Sequence, residues 1–134
     1  DAALKSHQYV MLCAPAMGQI AALEGIRRGE EEKNKMVQEY RVRRNLLVEG
    51  LNRIGLPCHV PEGAFYAFPS VEKTGMPDLE FAERLLKEEH VAVVPGSVLG
   101  QGGKNHIRCA YAVSRRDLSE AVQRMAHFIA SNSC

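Results

Sequence analysis

The sequence predicts an α+β domain in which helices pack on a small, mostly antiparallel sheet and a long helix leads into it. Three observations carry that expectation. Apolar residues recur at helical spacing in the first part of the chain, Met36, Tyr40, Leu47, Leu51 and Ile54 above all. The period then shortens, and runs such as Val91-Ala92-Val93-Val94 stand between Pro and Gly breaks. Helical spacing returns near the end behind Ser114-x-x-Asp117, which resembles a capping box. The order is two helices, a hairpin, a helix, two strands and a helix. It favours helices laid on an antiparallel sheet over a regular βαβ succession.

Taken in order, residues 1–15 read as a mixed segment. Residues 16–28 read as a helix ended by Gly29. Residues 30–54 read as the long helix, with Glu30, Glu31 and Glu32 suiting its N-terminal dipole. Arg41, Arg43 and Arg44 fall on its outer face and read as a solvated surface. Gly55 and Pro57 stop it. Residues 58–60 and 64–68 read as short strands around a Pro61-Glu62-Gly63 hairpin turn, closed by Pro69. Asp78 is the expected N-cap of a helix through Glu89, with Phe81, Ala82, Leu85 and Leu86 on one face. Residues 91–94 read as a strand stopped by Pro95-Gly96. Residues 98–105 form a glycine-rich loop, best taken as mobile, and 106–112 a further strand. The last helix is expected to bury Leu118, Ala121, Val122, Met125 and Ile129, with residues 132–134 frayed. The one plausible boundary lies near Gly29. Residues 1–29 look like the tail of something larger, and 30–134 like a domain.

Composition excludes several classes. The 134 residues fit one domain, and 46% hydrophobic with 25% charged residues is the usage of a soluble globular protein. Seventeen Lys and Arg against sixteen Asp and Glu leave a net charge of +1, so no global field draws the chain to nucleic acid or anionic lipid. Four cysteines, Cys13, Cys58, Cys109 and Cys134, lack C-x-x-C spacing and read as buried free thiols in a reducing cytoplasm. No apolar stretch approaches a membrane span, and the first residues do not read as a signal peptide. The chain does not begin with Met and is expected to be a piece of a longer one.

Few residues point to chemistry. The five histidines, His7, His59, His90, His106 and His127, show no metal-ligand spacing. The run from Gly96 to Lys104 is not a P-loop: Asn105 stands where Ser or Thr should follow the lysine, and the loop lies between strands. Phe65, Tyr66 and Phe68 read as core. Arg108 stands out. On a strand it shares a face with Ala110 and Ala112, whose small side chains leave room for a ligand. A guanidinium grips a carboxylate through two parallel hydrogen bonds. A structural ion pair with Glu62 or Asp117 is the competing reading.

Several segments, taken together and in order, resemble the C-terminal part of class I/II pyridoxal-phosphate-dependent aminotransferases of fold type I. They are Pro61-Glu62-Gly63-Ala64-Phe65-Tyr66-Ala67-Phe68-Pro69, Val91-Ala92-Val93-Val94-Pro95-Gly96-Ser97, Gly100-x-x-Gly103 and His106-Ile107-Arg108-Cys109-Ala110-Tyr111-Ala112. Upstream, Gln19-Ile20-Ala21-Ala22-Leu23-Glu24 and Tyr40-Arg41-Val42-Arg43-Arg44 fit as well. The segment His7 to Pro15 is similar to an aspartate-aminotransferase-like subgroup.

The resemblance implies a small domain built from the C-terminus, joined at residues 1–29 to a large cofactor domain. It implies transfer of an amino group between an amino acid and a 2-oxo acid on pyridoxal 5'-phosphate, in a cytoplasmic homodimer that binds neither nucleic acid nor membrane. Arg108 occupies the motif position of the arginine that binds the substrate α-carboxylate. Phe65 and Tyr9 are further substrate-binding candidates. One subgroup places an arginine for a distal carboxylate on or near Tyr9. A neutral residue there means that the substrate is not dicarboxylic or that an upstream residue supplies the charge. No lysine has the family's cofactor-lysine context, so no catalytic or cofactor-binding residue is expected in this chain. The chain alone is expected to be inactive. A lyase of the same fold, or a free-standing binding module, remains open on the residues alone.

Overall fold

The computed structural model describes residues 2–11 and 13–132. Leu12, and the fraying expected at Ser133 and Cys134, lie outside the described residues. The chain divides into two compact units, Asp1–Val37 and Gln38–Cys134.

The first unit holds α1 (Ala2–Val10), α2 (Ala16–Arg28) and the start of α3 (Glu30–Arg53). The mixed segment expected over 1–15 is therefore largely helical. Ala2, Ala3, Leu4 and Lys5 are strong helix formers, and the helix closes with the Met11 N–H on the His7 carbonyl at 2.8 Å. Pro15 precedes α2, whose bounds are those expected. Ion pairs one turn apart lace the outside, Arg28 with Glu24 at 3.1 Å and Lys33 with Glu30 at 2.6 Å. Pairs as exposed as these contribute little to stability. Met17, Ile20, Leu23 and Ile26 of α2 are all exposed, and no described residue of this unit is buried.

The second unit has a core. It continues α3 and adds β1 (Tyr66–Ala67), α4 (Asp78–Glu89), β2 (Val94–Pro95), β3 (Ile107–Ala110) and α5 (Arg115–Ser131). The sheet order is β1-β3-β2, with β3 antiparallel to both neighbours. Ala67, Ile107 and Cys109 turn inward and join Leu51 of α3, Phe81 and Leu85 of α4, and Leu118, Met125 and Phe128 of α5. Burying each such large side chain contributes about 1.5–3 kcal/mol. Phe81 meets Phe128 edge to face at 5.2 Å. The α+β architecture is thus the expected one. All three helices bury their apolar residues with the same inward residues of the sheet, which leaves Tyr66, Arg108 and Ala110 on the other side.

Several local expectations fail for identifiable reasons. Residues 58–60 form no strand, because the Asn52 amide takes both backbone groups of Cys58. Its Nδ2 donates to the Cys58 carbonyl at 3.1 Å and its Oδ1 accepts the Cys58 N–H at 3.0 Å. The segment is tied to the end of α3 and cannot form half a hairpin. The strand expected over 64–68 shrinks to β1, since Ala64 sits at φ 60° and cannot be extended; β1 pairs with β3 instead. The strand expected over 91–94 starts later. His90 ends α4 in the left-handed region, and the Val91 N–H still bonds the Leu85 carbonyl. The strand expected over 106–112 regularises only as β3.

Among side chains, Leu86 is exposed against the expectation, and Phe128, which the expected core of the last helix did not include, is buried. Arg43 and Arg44 are half-buried. Arg43 pairs with Glu39 at 2.8 Å and Arg44 donates to the Pro61 carbonyl at 3.2 Å, so they are more than a solvated surface. Cys109 is buried as expected, with burial pushing its thiol up to about 12, but Cys58 is only half-buried and Cys13 is exposed. Ser114 caps α5 as expected, its Oγ accepting the Asp117 N–H at 3.1 Å. Among the described residues no helix is long and apolar enough to cross a membrane.

Candidate functional site

Arg108 lies mid-strand on β3, so its surroundings follow from register. Val94 of β2 is its antiparallel partner on one side. On the other side Tyr66 of β1 faces Ala110. Arg108 and Tyr66 are therefore diagonal neighbours on one face, a separation that long side chains bridge. Ala110, with only a methyl, does not obstruct them. The guanidinium carbon of Arg108 lies over the Tyr66 ring, 4.5 Å from its centroid. Among the described residues Arg108, half-buried, has no ion pair and no side-chain hydrogen bond. The competing partners are absent: the Asp117 carboxylate accepts the Ser114 hydroxyl at 2.7 Å instead. Ala110 and Ala112 are exposed. A cation on an open, small-walled face, with its N–H donors unengaged, can bind a planar oxyanion.

Phe65 adjoins this arrangement. Its ring packs on Tyr66 at 4.3 Å between centroids, and Phe65 and Arg108 thus meet the same ring. Phe65 is 42% exposed, and Phe68 is exposed as well, so neither is the core residue expected. Tyr9 belongs to the other unit, on α1, and is 89% exposed. Tyr66, also read as core, is the contributor that the sequence reading missed. Its signal was the pairing of β1 with β3, which no local pattern announces.

The glycine-rich connection from β2 to β3 fixes where β3 begins, and it is fastened rather than free. Asp78, 4% exposed, sends one carboxylate oxygen to the Ser97 N–H at 2.9 Å and the other to the Asn105 N–H at 3.3 Å. Burial raises the Asp78 carboxyl, but hydrogen bonds from Ser97 and Asn105 outweigh it and hold the group below the usual range. Asp78 is the first helical residue of α4, with Pro77 at the cap position, so its side chain serves the loop instead of capping the helix. Gly96 and Gly103 touch: a Cβ on Gly96 would meet the Gly103 carbonyl at 2.1 Å, and one on Gly103 would meet the Gly96 carbonyl at 2.0 Å. The amides of Gly96, Gly100, Gly103 and His106 also bond within the loop. Spent N–H groups around a buried carboxylate make a poor cradle for phosphate.

An apolar cavity of about 400 Å³ lies between β3 and α5, with Ala110 on its wall but not Arg108. On its rim Arg124 is already paired, with Glu120 at 2.5 Å and with the Glu89 carbonyl at 3.0 Å. Among the described residues no group of His, Cys, Asp or Glu could hold a metal ion. Pyridoxal phosphate would need a lysine amine in a sheltered site. Lys5, Lys33, Lys35, Lys73, Lys87 and Lys104 are all exposed, and none is on the sheet. The residues of this chain therefore do not fit the role of holding that cofactor covalently.

Comparison with known proteins places the chain in a family. The family model "Aminotransferase class I and II" matches residues 2–125. The YugH protein of Bacillus subtilis is 60% identical over 129 residues, which are 96% of this chain and 33% of that protein. Two archaeal relatives are each 40% identical over 124 residues, 91% of this chain and 32% of theirs. They are an aromatic-amino-acid aminotransferase of Thermococcus litoralis and an aspartate aminotransferase of Pyrococcus abyssi. The crystal structure of Pyrococcus protein-A1 superposes with a TM-score of 0.89 at 38% identity, covering 96% of this chain and 34% of that one. The chain thus spans about a third of the length of the relatives it matches. By sequence over nearly its whole length and by fold, it belongs to the class I and II aminotransferases.

Proposed function

We propose that this chain is the C-terminal part of a pyridoxal-phosphate-dependent aminotransferase, and that Arg108 binds the α-carboxylate of the amino acid and of the 2-oxo acid. The observation that carries the proposal is an arginine half-buried on an open strand face, with no carboxylate partner among the described residues. Every amino-acid substrate presents the same planar α-carboxylate. A bidentate guanidinium fixes its position and its plane together, which aligns the bond to the α-hydrogen for proton removal elsewhere in the full-length protein. Arg108 acts by binding and orientation and holds no proton in the reaction.

The rest of the proposal concerns the parent protein. Residues 1–29 belong with its large cofactor domain, whose cover the exposed apolar side chains of α2 require. The parent is a homodimer of the cytoplasm. Substrates of the aspartate type are supported by the Pyrococcus abyssi relative. The Thermococcus litoralis relative supports the aromatic type as well, and Arg108 addresses only what both types share. The 134-residue chain alone is inactive and forms no reducible adduct on one specific lysine.

The test is Arg108→Ala in the full-length enzyme. Loss of a charged hydrogen-bonding partner in a desolvated site costs about 2–5 kcal/mol, a fall in kcat/KM of roughly 30- to several-thousand-fold. The melting temperature should hold. A variant that melts early yet keeps kcat/KM at low temperature would make Arg108 structural and refute the proposal.

A further inference from the structure

We propose that Tyr66 is a positioning residue for Arg108, holding the guanidinium by its flat face so that the N–H rim is ready for a carboxylate. This inference rests on the carboxylate reading of Arg108. A carboxylate neighbour would also locate an arginine, but it would occupy the same donors the substrate needs. An aromatic face attracts the cation without accepting its N–H hydrogen bonds. The structure has the second arrangement. The guanidinium carbon lies 4.5 Å from the Tyr66 centroid, and Arg108 has no other polar side-chain partner among the described residues.

Register makes the contact possible. Tyr66 faces Ala110, and Arg108 precedes Ala110 by two residues on the same face. A larger residue than Ala110 would stand between the ring and the guanidinium.

The ring is itself packed by neighbours. Phe65 packs against Tyr66 at 4.3 Å, and Tyr40 of α3 packs against Phe65 at 6.5 Å. Tyr111 meets Tyr40 at 6.2 Å, and its hydroxyl donates to the Ala64 carbonyl at 2.9 Å, just before Phe65. Tyr66 therefore presents a surface whose place is set by the helix and the turn around it. An arginine ordered before its ligand arrives loses less freedom on binding, and the gain appears as affinity. The Tyr66 hydroxyl has no hydrogen-bond partner among the described residues, so the ring and not the phenol is the working part.

The experiment uses the full-length enzyme. Replacing the ring by Tyr66→Leu should raise KM for every amino donor about 3- to 30-fold, the range expected of a cation over an aromatic face. It should leave kcat within about twofold. Kd for 3-phenylpropionate and for succinate, two unreactive carboxylates, should weaken by the same factor. Tyr66→Phe should bind both probes as the parent does. In an Arg108→Ala background, Tyr66→Leu should change nothing further. Substituting phenylalanines of increasing fluorine content at position 66 keeps the size of the ring while draining its face of electron density, so Kd should weaken stepwise. That series also serves if Tyr66→Leu melts early. Unchanged Kd in Tyr66→Leu, an effect of Tyr66→Phe as large as that of leucine, or a flat fluorine series would overturn the inference. If Arg108→Ala collapses kcat/KM while those results hold, only the role of Tyr66 fails. If Arg108→Ala is itself silent, the carboxylate reading falls first.

Discussion

The units Asp1–Val37 and Gln38–Cys134 are both rich in helix, and among the described residues only the second has buried ones. In the second, the apolar faces of α3, α4 and α5 converge with the inward residues of a three-stranded sheet. In the first, α2 carries an apolar residue every third position from Met17 to Ile26, and each is exposed. The difference teaches that helical period and helical burial are separate facts. Period is set by residues within a turn of one another. Burial depends on what lies opposite, and no described residue of its own unit buries α2. Short helices held only by surface pairs are marginal in water.

Hydrogen exchange on the 134-residue chain should separate the two units most strongly. Amides of α2 should exchange at least about a thousand-fold faster than those of β3 and the core face of α5, because only the latter wait for global unfolding. Comparable protection in α2 would erase the distinction.

Two glycine substitutions sharpen it. Gly103→Ala drives a Cβ into the backbone of Gly96 and should destabilise the second unit by about 3 kcal/mol in denaturant unfolding. Gly25→Ala meets nothing within 4 Å and should raise helicity in α2, by about 0.5–1 kcal/mol of helix propensity, without moving that unfolding midpoint.

Asp78 gives a smaller effect with a defined pH dependence. Asp78→Asn should cost about 2 kcal/mol, since it removes charge from two hydrogen bonds in a buried site. The folded carboxyl lies below its usual range, so its contribution is complete above the ordinary aspartate value of about 3.9 and is lost as pH falls through the folded value. The unfolding midpoint of the parent chain should drop in acid more steeply than that of Asp78→Asn. Parallel curves would deny Asp78 its part in the acid limb.

The smallest effect is expected at Glu39. Hydrogen bonds from Arg115, then Arg43, hold its carboxyl at about 2, and with Arg115 it ties α5 to α3. The tie is fully present above the ordinary glutamate value and fades as pH falls toward 2. The pair is largely exposed, so Glu39→Gln should lower the melting temperature less than Asp78→Asn, and added salt should shrink the difference.

What was legible in the sequence follows the same division between near and far. The bounds of α2 and the Ser114 cap were readable because period and capping are settled within a few residues. The inward turn of Ile107 and Cys109 and the outward turn of Arg108 followed from strand alternation alone. The hairpin over 58–68 was not readable, because its fate was decided by the side chain of Asn52 and by the pairing of β1 with β3. Asp78 looked like a cap because sequence shows the helix it begins and not the loop folded back onto it. Arg108 could be singled out from its alanine neighbours. The ring it rests on could not, since Tyr66 and Arg108 meet only across the sheet.

Arg108, as proposed, recognises the group common to all donors. The most direct measurement is kcat/KM of Arg108→Lys in the full-length enzyme, across amino donors with acidic, aromatic and aliphatic side chains. Lysine keeps the charge and loses the fork. A fall of roughly 30-fold or more is expected, the same for each donor, so that the ranking of donors is unchanged. Near-normal activity, or a loss confined to donors of one side-chain type, would contradict it.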